Sequence, residues 1–143
     1  MRRLIAALAI MFIPIAATSQ DYERGLEAYD AGEYEVAAQE LRPLAEQGDA
    51  VAQYHLGMMY ADGRGVVQAF AEAARWNSKA AEQGHAGAQS YLGYMYRVGL
   101  GVDRDYTAAV RWWTMAAEQG DAGCVSKVVE ILRRRPPNGV IWA

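Results

Sequence analysis

The chain contains a 36-residue unit twice in direct succession: residues 49–84 read DAVAQYHLGMMYADGRGVVQAFAEAARWNSKAAEQG, and residues 85–120 read HAGAQSYLGYMYRVGLGVDRDYTAAVRWWTMAAEQG. The two copies are identical at 18 of 36 positions. The closing tetrapeptide AEQG also occurs at residues 45–48, which is 36 positions before its next occurrence. Self-similarity at this period is typical of repeat proteins, in which each unit is one supersecondary structure that stacks on its neighbours.

Each unit is predicted to form two helices separated by a glycine-rich break. In the first half of the unit, apolar residues such as Ala52, Leu56 and Met59 recur at helical spacing. The segment GRG at residues 63–65 then interrupts the pattern with two glycines that tolerate positive φ. A second helical stripe follows and ends at Gly84. Its members in the first copy are Phe70, Ala73, Trp76, Asn77 and Ala80.

Four single residues are predicted to have local structural roles. Asp49 and Asp121 each follow a unit-ending glycine, where an aspartate accepts amide hydrogen bonds as the N-cap of the next helix. Gly57 and Gly93 occupy the same position in the two copies. We expect helices to approach each other closely at these two glycines.

The repeat predicts an all-α fold, an αα-hairpin repeat solenoid. A helix pair of this kind has apolar residues on both sides, and only a stacked neighbour can bury them. Pro136 and Pro137 are expected to end the last helix. The predicted divisions are a signal peptide at 1–19, an N-terminal partial repeat at 20–48, full repeats at 49–84 and 85–120, a C-terminal capping helix at 121–135, and a tail at 136–143.

The N-terminus is interpreted as an export signal. Arg2 and Arg3 precede an uncharged run of 14 residues, 4–17, which falls short of the roughly 20 that span a bilayer as a helix. The small residues Ala17, Thr18 and Ser19 favour cleavage at or near Ser19, with cleavage after Ala17 as the alternative. The mature protein is therefore predicted to be exported, without stable membrane insertion after signal cleavage. Its location is predicted to be periplasmic in a Gram-negative cell and secreted otherwise.

Charge and composition argue against several classes of ligand. Lys and Arg total 14 against 17 Asp and Glu, a net charge of -3, so no cationic surplus favours binding to nucleic acid. The single cysteine, Cys124, cannot form an intramolecular disulfide, and two histidines cannot form a three-histidine zinc site. We therefore predict no nucleic-acid partner, no metal and no cofactor.

The sequence predicts no catalytic residues. None of the serines begins a Ser-x-x-Lys motif, and residues 63–65 lack the lysine and hydroxyl of a phosphate-binding loop. His55 and His85 have no obvious carboxylate partner in sequence and are interpreted as surface side chains. Cys124 aligns with two shared alanines, which favours a small buried side chain over a nucleophile.

The residues that the two copies share form one long motif. In the first copy it reads Ala52-x-x-x-Leu56-Gly57-x-x-Tyr60-x-x-Gly63-x-Gly65-Val66, followed by Ala73-x-x-Trp76-x-x-x-Ala80-Ala81-x-x-Gly84. The second copy carries the same motif in register from Ala88 to Gly120. This pattern resembles the Sel-one-like repeat proteins, which are relatives of the tetratricopeptide repeats.

The resemblance implies a fold and a general role. The fold is a right-handed superhelix of antiparallel helix pairs, in which residues 20–48 are a tetratricopeptide-like partial repeat. The role is that of an adaptor or scaffold for other proteins, often in envelope complexes and signalling. Some cysteine-rich relatives have been linked to β-lactam binding or hydrolysis, but the paired helix cysteines are missing from this chain.

The first helix of each unit carries a candidate binding face. On a helical wheel that starts from Ala50 at 0°, the largely shared positions of this helix lie between about 180° and 360°. The freely differing positions lie on the other half, at about 20° to 140°. Packing has to repeat between copies, but a binding surface does not. In the resembling solenoids this helix lines the concave groove. The alternative is that these side chains cover neighbouring helices. The candidate partner-binding residues are Tyr54, His55, Met58, Ser90, Tyr91, Tyr94 and Arg97.

The predicted function is an exported, non-enzymatic protein–protein interaction scaffold that binds a protein partner in the cell envelope. One alternative is a module that binds an envelope glycan or a small ligand. The other is a β-lactamase-like hydrolase.

Overall fold

The computed structural model describes residues 19–134. This part of the chain contains helices and no strand. Most of the predicted signal peptide, residues 1–18, lies outside the described residues, as do Arg135 and the predicted tail at 136–143. The helices are α1 (Ser19–Asp30), α2 (Tyr34–Glu46), α3 (Ala50–Asp62), α4 (Phe70–Glu82), α5 (Ala86–Val98), α6 (Tyr106–Glu118) and α7 (Ala122–Arg133).

The helices stack in chain order. The extensive contacts all join helices that are adjacent in sequence, from α1 against α2 to α6 against α7. We call α1, α3, α5 and α7 the A helices and α2, α4 and α6 the B helices. This arrangement confirms the predicted all-α, αα-hairpin repeat solenoid.

Small residues line the contacts between the helices. Ala37, Ala52, Ala73, Ala88 and Ala109 are fully buried, and larger side chains fill the space between these contacts. The largest fully buried side chains are Trp113, Leu41, Leu56, Met59, Leu92 and Met95. Because alanine adds little bulk, the backbones of neighbouring helices can approach closely.

The shared glycines lie where an A helix meets its B helix, as predicted. A Cβ atom on Gly93 would lie 2.6 Å from Cδ1 of Trp113, and one on Gly57 would lie 2.9 Å from Cγ of Asn77. Both neighbouring side chains are buried in α6 and α4. The glycines are therefore required by packing and not by backbone conformation.

The N-caps follow the prediction and extend it. Asp49 Oδ1 accepts the Ala52 amide at 2.7 Å, and Asp121 Oδ1 accepts the Cys124 amide at 3.2 Å. Between these two units, His85 occupies the same position, and its Nδ1 accepts the Ala88 amide at 3.1 Å. The histidine cap was not predicted, because a neutral imidazole is an uncommon substitute for a carboxylate at this position.

A repeated pair of buried glutamine contacts joins each unit to the one before it. Gln53 Nε2 donates to the Ala45 carbonyl at 3.0 Å, and Gln53 Oε1 accepts from Gln83 Nε2 at 2.8 Å. Gln89 makes the equivalent bonds to the Ala81 carbonyl at 3.1 Å and to Gln119 at 2.8 Å. The bonds to Ala45 and Ala81 reach the preceding B helix, so this network fixes how successive units are stacked.

Replacing Gly93 by alanine should destabilise the solenoid. The added Cβ would overlap the indole of Trp113, which is 1% exposed, and its displacement should cost about 1 to 3 kcal/mol of unfolding free energy. Urea denaturation followed by circular dichroism measures this change. Gly123→Ala is the control because Gly123 is exposed on α7, where an added Cβ would lie 3.2 Å from Oδ1 of Asp121 and overlap no buried side chain. Equal stability of the two variants would show that the contact of α5 with α6 is not as close as described.

Candidate functional site

The predicted site residues lie on two neighbouring A helices. Tyr54, His55 and Met58 are on α3, and the other four are on α5. Tyr94 is exposed, with 38% of its surface accessible, and the other six are half-buried. By contrast, the positions that the two copies share on these helices, such as Leu56 and Leu92, are fully buried. The seven candidate residues, which vary between the copies, are therefore left at least partly accessible by the packing, whereas Ala61, which varies with Arg97, is buried.

A chain of ring contacts runs across the N-terminal part of this surface. The ring of His55 lies 4.8 Å from that of Tyr29 and 5.4 Å from that of Tyr54, in both cases edge to face. Tyr54 in turn stacks on His85 at 4.6 Å. These contacts link α1, α3 and the start of α5, so Tyr54 and His55 also take part in packing between units.

Both histidines are partly buried, so their interpretation as surface side chains was wrong. Burial lowers the pKa of His55; the nearby His85 lowers it further, and Asp30 has the opposite effect. Burial also lowers the pKa of His85, against its backbone hydrogen bond and the charge of Asp49. Nδ1 of His55 is buried and has no hydrogen-bond partner. The neutral imidazole is therefore the favoured form of each histidine.

The C-terminal part of the surface is more open. The rings of Tyr91 and Tyr94 stack with centroids 6.0 Å apart. The guanidinium of Arg97 lies 5.9 Å from the ring centroids of both Tyr94 and Trp113. Rings in this arrangement offer a flat apolar area beside a positive charge, which is typical of residues that anchor protein partners.

Ser90 differs from the other candidates because its polar atoms are engaged in packing. Its carbonyl accepts a hydrogen bond from Nε1 of Trp113 at 2.8 Å. Its hydroxyl accepts one from Sγ of Cys124 at 3.2 Å. Ser90 therefore joins α5 to α6 and α7.

A cavity of about 650 Å³ adjoins Arg97 at the C-terminal end of the surface. It lies between the end of α5, the loop before α6 and the C-terminal half of α7. The side chains that line it include Arg97, Arg104, Tyr106, Glu130, Ile131 and Arg134. Of these, Arg97 is a predicted partner-binding residue. Arg134 belongs to the basic run at residues 133–135, which the sequence places at a helix C-terminus, where cations favour the helix dipole, with binding of an acidic partner as the alternative. Arg104 was not predicted, because only the stacking of α7 against α6 brings Arg134 near this loop residue.

The described residues show no arrangement that suggests catalysis. Residues 19–134 contain no group of three or more metal-ligating side chains. Cys124 is buried, as predicted, and burial raises the pKa of its thiol, which favours the protonated, weakly nucleophilic form. Within the same residues, no helix combines the length and apolar character that crossing a bilayer requires.

The helix pairs and their repeated contacts define this chain as an αα-hairpin repeat protein with an accessible, variable A-helix surface. Comparison with known families gives a more specific assignment. The Sel1 repeat matches residues 50–85 and 86–121, which together make up half of the chain. The chain therefore belongs to the Sel1 repeat family, the Sel-one-like repeats that its motif resembles. Proteins with Sel1 repeats are generally protein–protein interaction scaffolds.

Solved structures agree with this assignment. A protective antigen from uropathogenic Escherichia coli that displays an SLR fold is 36% identical, with a TM-score of 0.77 over 81% of this chain and 26% of its own. A Sel1 repeat protein from Oxalobacter formigenes is 37% identical, with a TM-score of 0.72 over 77% of this chain and 44% of its own. The chain thus spans less than half the length of either protein.

A more distant structure supports the fold alone. Cysteine-rich protein B of Helicobacter pylori is 20% identical, with a TM-score of 0.63 over 76% of this chain and 92% of its own. No match was found among curated proteins.

Acidification should destabilise the solenoid through its histidines. Burial lowers the pKa of His85 in the folded state, so folding favours its neutral form. The contribution of neutral His85 to stability is therefore complete above the ordinary histidine pKa of about 6.5, and it is lost as the pH falls below that value. A protonated Nδ1 can no longer accept the Ala88 amide, and loss of an N-cap costs about 1 kcal/mol. The melting temperature should therefore fall between pH 7.5 and pH 5.5.

The variant His85→Asn keeps a capping oxygen that does not titrate in this range. We expect a shallower dependence of its melting temperature on pH, with the remaining slope due to His55. The mechanism is wrong if His85→Asn and the unchanged protein have the same slope.

Proposed function

We propose that this chain is an exported, non-enzymatic adaptor that binds a protein partner of the cell envelope through the accessible surface of α3 and α5. The observation that carries the proposal is the separation of roles on the A helices. Most side chains at the shared positions, such as Leu56, Met59 and Leu92, are fully buried, whereas several varying positions hold tyrosines, a methionine and an arginine that remain partly accessible. Selection for packing alone gives no reason to place exposed Tyr94 beside Tyr91 and Arg97.

Tyr91, Tyr94 and Arg97 are the proposed centre of the binding surface. Tyrosine and arginine are enriched among the residues that dominate binding energy at protein interfaces. Tyr94 is the most accessible of the candidates, and the stacking of Tyr91 on its ring limits the conformational entropy that is lost on binding. Tyr54 and His55 contribute at the margin because neighbouring rings cover part of their surface.

Export is the second part of the proposal and is supported by residues 1–19. Their positive start, their uncharged run of 14 residues and their small residues before Gln20 fit a signal peptide. With this signal removed, the protein would meet its partner outside the cytoplasm, in the periplasm of a Gram-negative cell. We expect the mature domain to bind no nucleic acid, because acidic residues outnumber basic ones.

Truncating Tyr94 should abolish partner capture without unfolding the protein. Loss of an anchor residue at an interface commonly costs 2 kcal/mol or more, which corresponds to about a thirtyfold loss of affinity. Changes at exposed positions usually alter stability by less than about 0.5 kcal/mol. The test is crosslinking and quantitative capture of envelope proteins by Tyr94→Ala, with thermal melts on the same sample.

Met115→Ala is the matched control, because Met115 is 36% exposed but lies on the B helix α6. It should retain full capture. Capture that survives Tyr94→Ala but not Met115→Ala would move the binding surface to the B helices. Capture of a glycan instead of a protein would favour the alternative of a glycan-binding module.

N-terminal sequencing of the protein isolated from its native cell tests export. The mature chain should begin at or close to Gln20, or after Ala17 if the alternative cleavage site is used. A mature chain that still begins with Met1 or Arg2 would contradict the proposal.

A further inference from the structure

The cavity at the C-terminal end of the A-helix surface is rich in arginine. Arg97 comes from the last turn of α5, Arg104 from the loop before α6, and Arg134 directly follows α7. The acidic side chain in its lining is Glu130, which already forms an ion pair with Arg134 at 2.8 Å. The site therefore has an excess of positive charge.

Neither Arg97 nor Arg104 is neutralised by a carboxylate among residues 19–134, where the ion pairs involve other arginines. Ring contacts hold them instead: Arg97 lies over Tyr94 and Trp113, and Arg104 lies 5.8 Å from the ring centroid of Tyr106. Nε of Arg97 is buried and has no hydrogen-bond partner. An arginine that is positioned by rings keeps its guanidinium donors for an anionic ligand.

This concentration of positive charge is unusual in an acidic protein. The chain has a net charge of -3, and the first A helix at the other end of the solenoid exposes Glu23, Glu27 and Asp30. A large polyanion such as nucleic acid would meet repulsion over most of the molecule. A short anionic group that enters the cavity would not.

We propose that this cavity binds the carboxylate side chains of an acidic peptide segment in the protein partner. The proposal rests on the proposed function, because Arg97 belongs both to the cavity and to the surface that contains Tyr91 and Tyr94. A segment that lies on these tyrosines would place its neighbouring glutamate or aspartate residues at the cavity. Guanidinium groups bind carboxylates through paired, charge-assisted hydrogen bonds, so the cavity would contribute specificity as well as affinity.

Fluorescence anisotropy with two labelled peptides tests the cavity directly. One peptide alternates glutamate and alanine, and the other replaces every glutamate by glutamine, which keeps the shape and removes the charge. The unchanged full chain should bind the glutamate peptide at least about tenfold more tightly, and added NaCl should reduce this preference. Equal binding of the two peptides, or no saturable binding of either, would overturn the proposal.

Arg104→Gln should lower the affinity for the glutamate peptide about tenfold and leave the glutamine peptide unaffected. Arg111→Gln is the matched control: Arg111 is also exposed and also lies over a ring, Trp112 at 5.2 Å, but it does not line the cavity. Equal losses in the two variants would show general electrostatic attraction and would also overturn the proposal. So would a heparin fragment that binds the unchanged chain more tightly than the glutamate peptide does.

Partner capture distinguishes this proposal from the one on which it rests. If Tyr94→Ala abolishes capture and Arg104→Gln leaves it intact, the surface binds the partner but the cavity does not hold its acidic residues. If Tyr94→Ala leaves capture intact, the proposed function itself fails. Loss of capture in both variants, with Arg111→Gln unaffected, supports both proposals.

Discussion

The close approach of an A helix to its B helix is the constraint on which the rest of this structure depends. At Gly57 and Gly93 even a Cβ atom would collide with the facing helix, and fully buried alanines line the neighbouring contacts. Such contacts leave no room for larger side chains, so these positions have to be the same in both copies. On the A helices, a bulky variable side chain such as Tyr94 can then be placed where the helix does not meet its B helix. The variable position of the B helices, Asn77 in one copy and Trp113 in the other, instead packs directly on the glycines.

The buried glutamines explain why the stacking of units is equally restricted. The amide of Gln53 spans from the Ala45 carbonyl to Gln83. Its bond to Ala45 is buried, so removing the Gln53 amide would leave that carbonyl unsatisfied, which costs about 1 to 3 kcal/mol. On α7 the equivalent position is Val125, which makes no such bond and is 50% exposed. The glutamine network therefore joins the helices from α2 to α6 and does not extend along α7.

Local features of this fold could be predicted from the sequence, but contacts between distant residues could not. The helices, the two aspartate caps and the close approach at Gly57 follow from spacing and residue type within one unit. The histidine cap is also local, but it was not predicted because an imidazole is an uncommon capping group. The covering of Tyr54 by His85 and the arginine-lined cavity depend on how one unit lies on the next. Arg104 and Arg134 are 30 positions apart and belong to no common helical stripe, so no periodic pattern could have joined them.

The A-helix surface consequently has two parts with different properties. From Tyr29 to His85 the rings contact one another across successive units, so truncating any of them disturbs both the surface and the stacking. In the second part, Tyr91 packs partly against the core and Arg97 lies over Trp113, whereas Tyr94 is exposed and packs mainly on Tyr91 and Arg97. Variation at Tyr94 therefore costs little stability. A repeat protein that has to recognise one particular partner can therefore acquire its specificity here, next to a cavity in which Arg97 and Arg104 form no ion pair with the described carboxylates.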